Sequence, residues 1–420
     1  MEKILRTIKK IIPKKILGVM RPVYHYSLAF VGAVIYRFPS KKIKVVAITG
    51  TKGKTSTAEL VNSILEEAGY KTALAGTLRI KIGNTSRPNL FKMTMPGRFF
   101  VQKFLRNTVD DKCDYAIIEM TSEGAKQFRH KFIDLDAFIF LNISPEHIES
   151  HGSYEKYLDA KLSLANSLAQ SDKKRKVLVV NTDDKEASKF LAVPVLEKYS
   201  FSIIQAEPYL VKKDGVELTF QGAKISSALR GKFNIYNILA ATTFATTQNI
   251  PTEKIVRGVE KLKEIKGRVQ SIYAGQNFDV VVDYAHTADS LTKLYETFGD
   301  QRKICVLGNT GGGRDKWKRP EMAKVAEKYC DEIILTNEDP YDEDPEEIIK
   351  EMSDAIENKN FEKIIDRREA IRHALKIARS GDVVLITGKG TDPYIMGKNG
   401  SKIPWSDAGV VTEELLNIIK

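Results

Sequence analysis

The run Val45-Val46-Ala47-Ile48-Thr49-Gly50-Thr51-Lys52-Gly53-Lys54-Thr55-Ser56-Thr57 constrains this chain more than any other stretch. An apolar segment enters a turn marked by two glycines, then Lys-Thr, then a helical pattern at Ala58, Leu60, Val61, Ile64 and Leu65. Strand, phosphate loop and helix in that order imply an α/β nucleotide-binding layer. Gly50 and Gly53 allow a tight turn whose N–H groups approach phosphate oxygens, and the helix dipole adds to the attraction. Lys54 would pair with the β- and γ-phosphates, and the Thr55 hydroxyl would hold Mg²⁺. An ordinary glycine-rich strand-to-helix turn is the alternative reading.

From Ile43 onward, apolar runs alternate with helical patterns: Lys44–Thr49, Tyr115–Met120, Ala137–Ile143 and Val177–Asn181. That alternation predicts a mostly parallel sheet with helices on both faces. Short strands with turn signals are expected over Val195–Leu229, a helix over Ile235–Thr247, and a boundary at Gly267. A second α/β alternation follows, with strands at Val280–Asp283, Lys303–Leu307, Glu332–Thr336 and Val383–Thr387. The expected architecture is α/β: a central P-loop-type domain over 43–266, a Rossmann-like domain over 267–420, and a helical extension over 1–42. A chain of 420 residues requires such a division. The excess of 66 basic over 54 acidic residues points to a solvated basic surface, anionic substrates or a membrane surface. No nucleic-acid-binding motif is present. Cys113, Cys305 and Cys330 are far apart and odd in number, which fits a reducing compartment with no disulfide or zinc site.

Within the first 42 residues, Met1 to Lys15 reads as a basic amphipathic helix broken by Pro13. Val23 to Phe38 is largely apolar and aromatic, short for a bilayer span, and without a small-residue cleavage site. Two readings stay open: a peripheral anchor on a membrane surface, or a helix packed on the protein's own core.

Several residues further along carry chemistry. Glu119 ends a predicted parallel strand, at the ligand edge of the sheet, as a Mg²⁺ ligand or as a surface acid. Thr121-Ser122-Glu123-Gly124 and Gln127-x-Arg129 follow it. His147 and His151 stand four apart, with Gly152 next. Lys161 falls on the apolar stripe Tyr154, Tyr157, Leu158, Leu162 and Ala165, where it either snorkels to the surface or is modified. Asn234 and Asn237 open a helix, for capping or for reading an adenine edge. Gly267-Arg268, Asp283-Tyr284-Ala285-His286-Thr287-Ala288-Asp289, the glycine-rich run before Arg314, Thr336-Asn337-Glu338-Asp339-Pro340-Tyr341 and Gly388-Lys389-Gly390-Thr391-Asp392 complete the set.

These motifs, in this order, resemble the Mur ligase family, most of all its tripeptide-forming branch, over Ile43 to about Leu416. The resemblance implies an ADP-forming ligase of peptidoglycan precursor synthesis. Such an enzyme adds an amino acid, here a diamino acid, to a muramoyl-peptide carboxylate through an acyl phosphate. It implies ATP contacts at Gly50, Thr51, Lys52, Gly53, Lys54, Thr55, Ser56, Asn234, Asn237, Arg268, Asp283 and His286. It implies two Mg²⁺ ions, held by Thr55, Glu119, His147 and a carbamylated Lys161; Lys54, His147 and Lys161 are the catalytic set. Thr94, Thr121, Ser122, Gln127 and Arg129 would face the acceptor. Arg314, Asp339, Tyr341, Gly388 and Asp392 would face the amino acid, with Arg314 clamping its carboxylate.

The chain departs from the family's pattern in several places. Glu123 stands where the family has His, and Glu146 where it has Asp. Asp339 and Tyr341 replace an Asn and the Arg that holds a distal carboxylate in diaminopimelate-adding enzymes. Acidic Glu338 and Asp339 suit an ammonium instead, which favours lysine or ornithine. The first 42 residues resemble no part of the family's UDP-binding domain, so the acceptor is either UDP-linked and held differently, or lipid-linked. The partners expected are small molecules, with a monomer in the cytoplasm and peripheral membrane contact through residues 1–42. The rival readings are a superfamily ligase acting on a folate or a poly-amino-acid, and a P-loop NTPase or kinase that makes no amide bond.

Overall fold

The computed structural model describes residues 14–146 and 148–419. The Met1–Lys15 helix expected from sequence therefore lies almost wholly outside the described residues, and His147 lies outside them as well. Contacts divide the chain into two compact units. One comprises residues 1–143, 155–201 and 243–249; the other comprises 144–154, 202–242 and 250–420.

The first unit is built on an eight-stranded sheet. Its strands run, edge to edge, Thr85–Pro88, Arg79–Ile82, Thr72–Ala75, Tyr115–Glu119, Lys44–Thr49, Ala137–Phe140, Val177–Asn181 and Glu197–Phe201. The six from Thr72–Ala75 onward pair in parallel, and the two at the other edge are antiparallel. The central strands are continuous apolar runs because both faces are covered; every residue of Tyr115–Glu119 and Val177–Asn181 is buried. The register pairs Ile48 with Glu119, which sets that carboxylate beside the start of the glycine turn.

The helix Lys14–Ile35 is amphipathic in the plain geometric sense. Ala29, Gly32 and Ala33 are buried at helical spacing, whereas Val23, Tyr24, Tyr26, Phe30, Val31, Val34 and Ile35 are exposed. The small buried residues let it lie against the helix Arg98–Asp110; a Cβ on Gly32 would be 3.7 Å from Gln102 and Phe99. The expectation of a helix packed on the protein's own core is met by one side, and the other side is an exposed apolar surface. No helix among the described residues is long and apolar enough to cross a membrane.

In the second unit the strands Leu210–Lys212, Gly215–Phe220 and Ala223–Ser227 form an antiparallel meander, which accounts for the turn-rich pattern there. A six-stranded sheet orders Gln270–Ser271, Asp279–Val282, Val383–Ile386, Lys303–Leu307, Glu332–Leu335 and Phe361–Lys363, parallel except at the first pair. Both of its faces are buried, one under Leu291, Leu294, Met322 and Met352, the other under Ile371, Leu375, Val411 and Leu415. The expectation of three free cysteines is corrected here. Cys305 and Cys330, 25 residues apart, form a disulfide with Cα atoms 6.1 Å apart, and only Cys113 is free. Cys305 lies in the strand and Cys330 ends the helix Lys318–Tyr329 that packs over it, so the fold closes a distance that the sequence does not.

Candidate active site

The glycine turn forms as expected. Gly53 (φ 85°) precedes the helix Lys54–Glu67, a backbone conformation open to glycine without strain. The loop is braced from the neighbouring strand end: the Asn142 amide accepts from Lys52 N (2.9 Å) and donates to Lys52 O (3.2 Å). Thr51 Oγ1 meets the Tyr157 hydroxyl at 2.9 Å. Lys54 Nζ folds back onto the loop, donating to Gly50 O (2.6 Å) and Thr51 O (2.9 Å). An ammonium held over the loop carbonyls in this cradle fits an incoming phosphate. Ser56 is buried on the first helical turn.

Glu119 is fully buried, which disposes of the surface-acid reading. Its Oε2 accepts from Thr55 Oγ1 (3.0 Å) and Thr77 Oγ1 (3.0 Å), and its Oε1 accepts from Thr77 N (2.9 Å). A Cβ on Gly76 would collide with that carboxylate, so the position is kept open by glycine. A hydroxyl and a carboxylate oxygen side by side at a phosphate loop are the donors that a hard divalent cation takes. Thr77 and Asn142 were not legible as site residues; only the folded register shows what they hold.

Lys161 is 2% exposed. It does not snorkel: Nζ donates to Gly50 O at 2.9 Å and stands 5.0 Å from the Tyr157 ring centroid. The residues expected to face the acceptor extend from the same node. Thr94 Oγ1 lies 2.8 Å from Thr77 Oγ1. Thr121 caps the helix Ser122–Lys126 by accepting from Gly124 N, and Ser122 is buried. Arg129 donates to Met95 O and to Gln127 Oε1.

The second unit gathers the remaining predicted residues. Arg268 stacks on Tyr284, 4.4 Å from the ring centroid. The Asp283 carboxylate accepts from Val269 N and Ala285 N, both at 2.7 Å. His286 faces Tyr284 O (2.7 Å) through Nδ1 and Glu146 Oε1 (3.0 Å) through Nε2, so both ring nitrogens meet acceptors. The Glu146 partner was not foreseen. Asn234 donates to Arg230 O (2.7 Å) and accepts from Asn237 (2.9 Å), so its amide is not used as a helix cap. A cleft lined by Asp214, Arg230, Lys263 and Arg268 opens beside this helix start.

Arg314 lies within electrostatic reach of Tyr341, Tyr284, Asp339 and Asp392. Asp392 and burial push the Tyr284 hydroxyl up, so it stays a donor. Tyr341 has a left-handed backbone (φ 54°) and lies against Gly312. Asp339 is turned inward, accepting from Lys389 Nζ (2.9 Å) and Met396 N (2.8 Å). Its neighbour Glu338 differs: Oε1 accepts from Thr310 (2.6 Å), but Oε2 has no partner and abuts Gly388. The sequence grouped these two acids together; the fold separates them.

With this geometry in view, comparison with known proteins is direct. The Mur ligase middle domain matches residues 48–245, and the Mur ligase glutamate ligase domain matches 267–390. A ligase from Syntrophomonas wolfei subsp. wolfei, named UDP-N-acetylmuramoyl-L-alanyl-D-glutamate–2,6-diaminopimelate ligase, is 36% identical over 409 residues. That alignment covers 94% of this chain and 82% of the relative. A protein of the same name from Bacillus velezensis is 36% identical over 383 residues, 88% of this chain and 77% of the relative. A solved structure under that name superposes with a TM-score of 0.61 at 29% identity, covering 90% of this chain and 79% of the other. Mycobacterium tuberculosis folylpolyglutamate synthase shares the fold, with a TM-score of 0.69 at 15% identity over 89% of this chain and 94% of the other. The chain belongs to the Mur ligase family. It is thereby an ATP- and magnesium-dependent ligase that forms amide bonds.

Proposed function

We propose that this ligase adds a diamino acid to the peptide carboxylate of a muramoyl-dipeptide in peptidoglycan precursor synthesis, within the cytoplasm and as a monomer. The observation that carries the reading is the Thr55–Glu119–Thr77 node beside the phosphate loop, with Thr94 and Arg129 continuing from it. The functional domains are taken as 43–266 and 267–420.

Lys54 leaves its loop carbonyls to pair with ATP phosphates, while the loop N–H groups hold their oxygens. Thr55 and Glu119 would hold one Mg²⁺. His147 and Lys161 would hold a second, Lys161 after its amine has added CO₂ to form an N–C bond with loss of one proton. The acceptor carboxylate attacks the ATP γ-phosphorus and ADP leaves, giving the acyl phosphate; bound magnesium would neutralise phosphate charge there. The Asn234 and Asn237 amides and the Arg268–Tyr284 stack suit an adenine and its ribose, with Asp283 and His286 near the phosphates. Gln127 and Arg129 hold the acceptor, with Thr121 and Ser122 shaping that wall. Arg314 clamps the amino acid's carboxylate, Asp392 and Glu338 receive its ammonium groups, and Gly388 leaves room for Glu338. The amine then displaces phosphate from the acyl phosphate.

Relatives are named for diaminopimelate, but Tyr341 offers no cation to a distal carboxylate. Lysine or ornithine is therefore the proposed donor. The exposed apolar face of Lys14–Ile35 is proposed to rest on the inner membrane surface, and anionic vesicles that fail to sediment the protein would count against that contact. The ligase reading is tested by phosphate release from ATP with UDP-N-acetylmuramoyl-dipeptide, supplying lysine, ornithine, diaminopimelate or alanine in turn. Release that depends on one diamino acid, with a tripeptide product by mass, is expected. Amino-acid-independent ATP turnover would overturn the ligase assignment.

A further inference from the structure

The exposed apolar face of the helix Lys14–Ile35 does not end with that helix. Val23, Phe30, Val31, Val34 and Ile35 are 43–66% exposed on it. Phe99, on the neighbouring helix Arg98–Asp110, is also exposed and lies beside Gly32. Phe100, next in the chain, meets Phe91 with ring centroids 5.2 Å apart. Phe91, Leu90 and Met93 are each about half exposed at the tip of the loop 89–97. That tip is held in place from below. Asn89 is buried, its amide nitrogen donates to Gly76 O (2.8 Å) and Met93 O (3.0 Å), and its Oδ1 accepts from Phe91 N (3.0 Å). A buried amide thus presents three large apolar side chains to the outside, and a continuous exposed patch of this kind marks an interaction surface.

Charge and length identify what the surface meets. No Lys, Arg, Asp or Glu occurs from Pro22 to Tyr36, and exposed Arg21 and Arg37 bound that stretch. The first 42 residues hold ten Lys and Arg against one acid, Glu2. A protein partner would have to bring acids to these cations and apolar groups to the face between them. A bilayer with anionic headgroups over acyl chains supplies both together, and tyrosines such as Tyr24 and Tyr26 suit the boundary between the two. The uncharged stretch rises only about 22 Å as a helix, short of a hydrocarbon core of about 30 Å, so it lies along the surface. The surface is also tied to the chemistry. Thr94 follows Met93 directly, and its Oγ1 lies 2.8 Å from Thr77 Oγ1, which donates to Glu119. One loop therefore has an apolar tip outside and its next residue at the node beside the phosphate loop.

We propose that the exposed face of Lys14–Ile35, Phe99 and the loop tip Leu90, Phe91 and Met93 form one surface that docks on an anionic bilayer, and that the acceptor is drawn from that bilayer as a muramoyl-peptide carried on a lipid diphosphate. The acceptor's identity rests on the function proposed above; the docking surface does not.

The test is sedimentation of the full chain with vesicles of mixed phosphatidylglycerol and phosphatidylcholine, and with vesicles of phosphatidylcholine alone. Wild type should bind the mixed vesicles about tenfold more tightly. Leu90→Ser combined with Val31→Ser, both at exposed positions, should weaken that binding about tenfold or more and leave the melting temperature unchanged. Leu196→Ser, also exposed but beside the strand at the opposite edge of the sheet, should bind as wild type does. Failure of wild type to sediment, or equal binding by the double variant, overturns the docking surface. A concentration-dependent dimer that the double variant dissolves would overturn it too, giving the face to a second copy of the chain. Lipid-diphosphate muramoyl-dipeptide in the same vesicles then tests the acceptor. Its kcat/KM should exceed that of UDP-muramoyl-dipeptide about tenfold or more, and the double variant should lose this advantage while keeping its rate on the soluble acceptor. A higher kcat/KM for the soluble acceptor overturns the lipid-linked acceptor and leaves the function proposed above standing. If neither acceptor supports amino-acid-dependent phosphate release, that function falls with it, and vesicle binding alone decides the docking surface.

Discussion

Glu119→Gln separates a structural role from a metal-binding one. The carboxylate is fully buried and accepts three hydrogen bonds, from Thr55 Oγ1, Thr77 Oγ1 and Thr77 N. Glutamine keeps the length but exchanges one oxygen for an NH₂. The Thr77 N–H cannot turn away, so the amide oxygen must face it and the NH₂ must face the two hydroxyls. Both hydroxyls can rotate to accept, so these three groups all keep a partner. The cost to the fold is then about 1 kcal/mol, a melting shift of roughly 2–4 °C for a unit of this size. The proposed cation site, by contrast, loses the charged oxygen beside Thr55. A loss of several kcal/mol, at about 1.4 kcal/mol per factor of ten, is on the order of a hundredfold or more in kcat/KM. The assay is ADP release at saturating acceptor with magnesium titrated, alongside thermal melting. The expected result is a near-native melt, a much higher magnesium requirement and turnover reduced about a hundredfold. A variant with wild-type magnesium dependence and rate would refute the metal assignment. A collapsed melt would show that Glu119 serves mainly to hold the sheet edge.

Three further outcomes are expected. Asp339→Asn leaves the Lys389 ammonium, which is 0% exposed, facing a neutral amide while Asp392 stays 3.8 Å away; weakening a buried charged hydrogen bond of this kind costs about 1–3 kcal/mol. Denaturant unfolding of the second unit measures it, and a loss below about 1 kcal/mol would contradict the pairing. His130 is buried, and burial lowers its pKa from 6.5 to about 3. The unfolded chain therefore binds the extra proton across that interval, so stability is full above pH 6.5 and drains away as pH falls towards 3. His130→Leu should flatten that acid limb in urea midpoints taken at successive pH values; an unchanged limb would place the acid sensitivity elsewhere. Tyr341→Arg supplies a bidentate cation where the tyrosine ring now lies on Gly312. It should raise the ratio of kcat/KM for diaminopimelate over lysine about tenfold or more, and an unchanged ratio would detach residue 341 from side-chain selection.

The parts of the fold legible in advance are those in which one short segment carries both the pattern and its meaning. Val45 to Thr57 is strand, turn and helix in one short run, and the parallel strands are apolar runs because helices cover both faces. Lys161 stood out because a lysine on an apolar stripe conflicts with its neighbours, and the fold resolves that conflict by giving it Gly50 O and the Tyr157 ring. The residues that escaped act across long separations. Thr77 reaches Glu119, 42 residues on; Asn142 reaches Lys52, 90 residues back; Glu146 reaches His286, 140 residues on. Cys305 and Cys330 escaped for the same reason, since a strand and the end of the following helix meet only when packed. Glu338 and Asp339 show the complementary case. Adjacent and alike in sequence, they point to different environments, and only the fold assigns one to Lys389 and leaves the other with an unpartnered oxygen.

The helix Lys14–Ile35 puts these two kinds of information together. Its composition says only that it is apolar and aromatic, which suits a membrane surface and a protein surface equally. The position of its small residues decides the first half: Ala29, Gly32 and Ala33 form the stripe narrow enough for the helix Arg98–Asp110 to approach. Once that contact is made, helical spacing fixes where His25, Tyr26 and Phe30 must fall. They fall on Arg98, Phe128 and Phe132, the residues around Arg129, which is proposed to face the acceptor. The left-handed backbones of Phe128 and Phe132 are then offset by ring packing that this helix provides. A segment outside the family's matched domains thus packs on the residues proposed to face the acceptor, and a substitution that detached it, such as Gly32→Leu, would be felt first at Gln127 and Arg129 rather than at the phosphate loop.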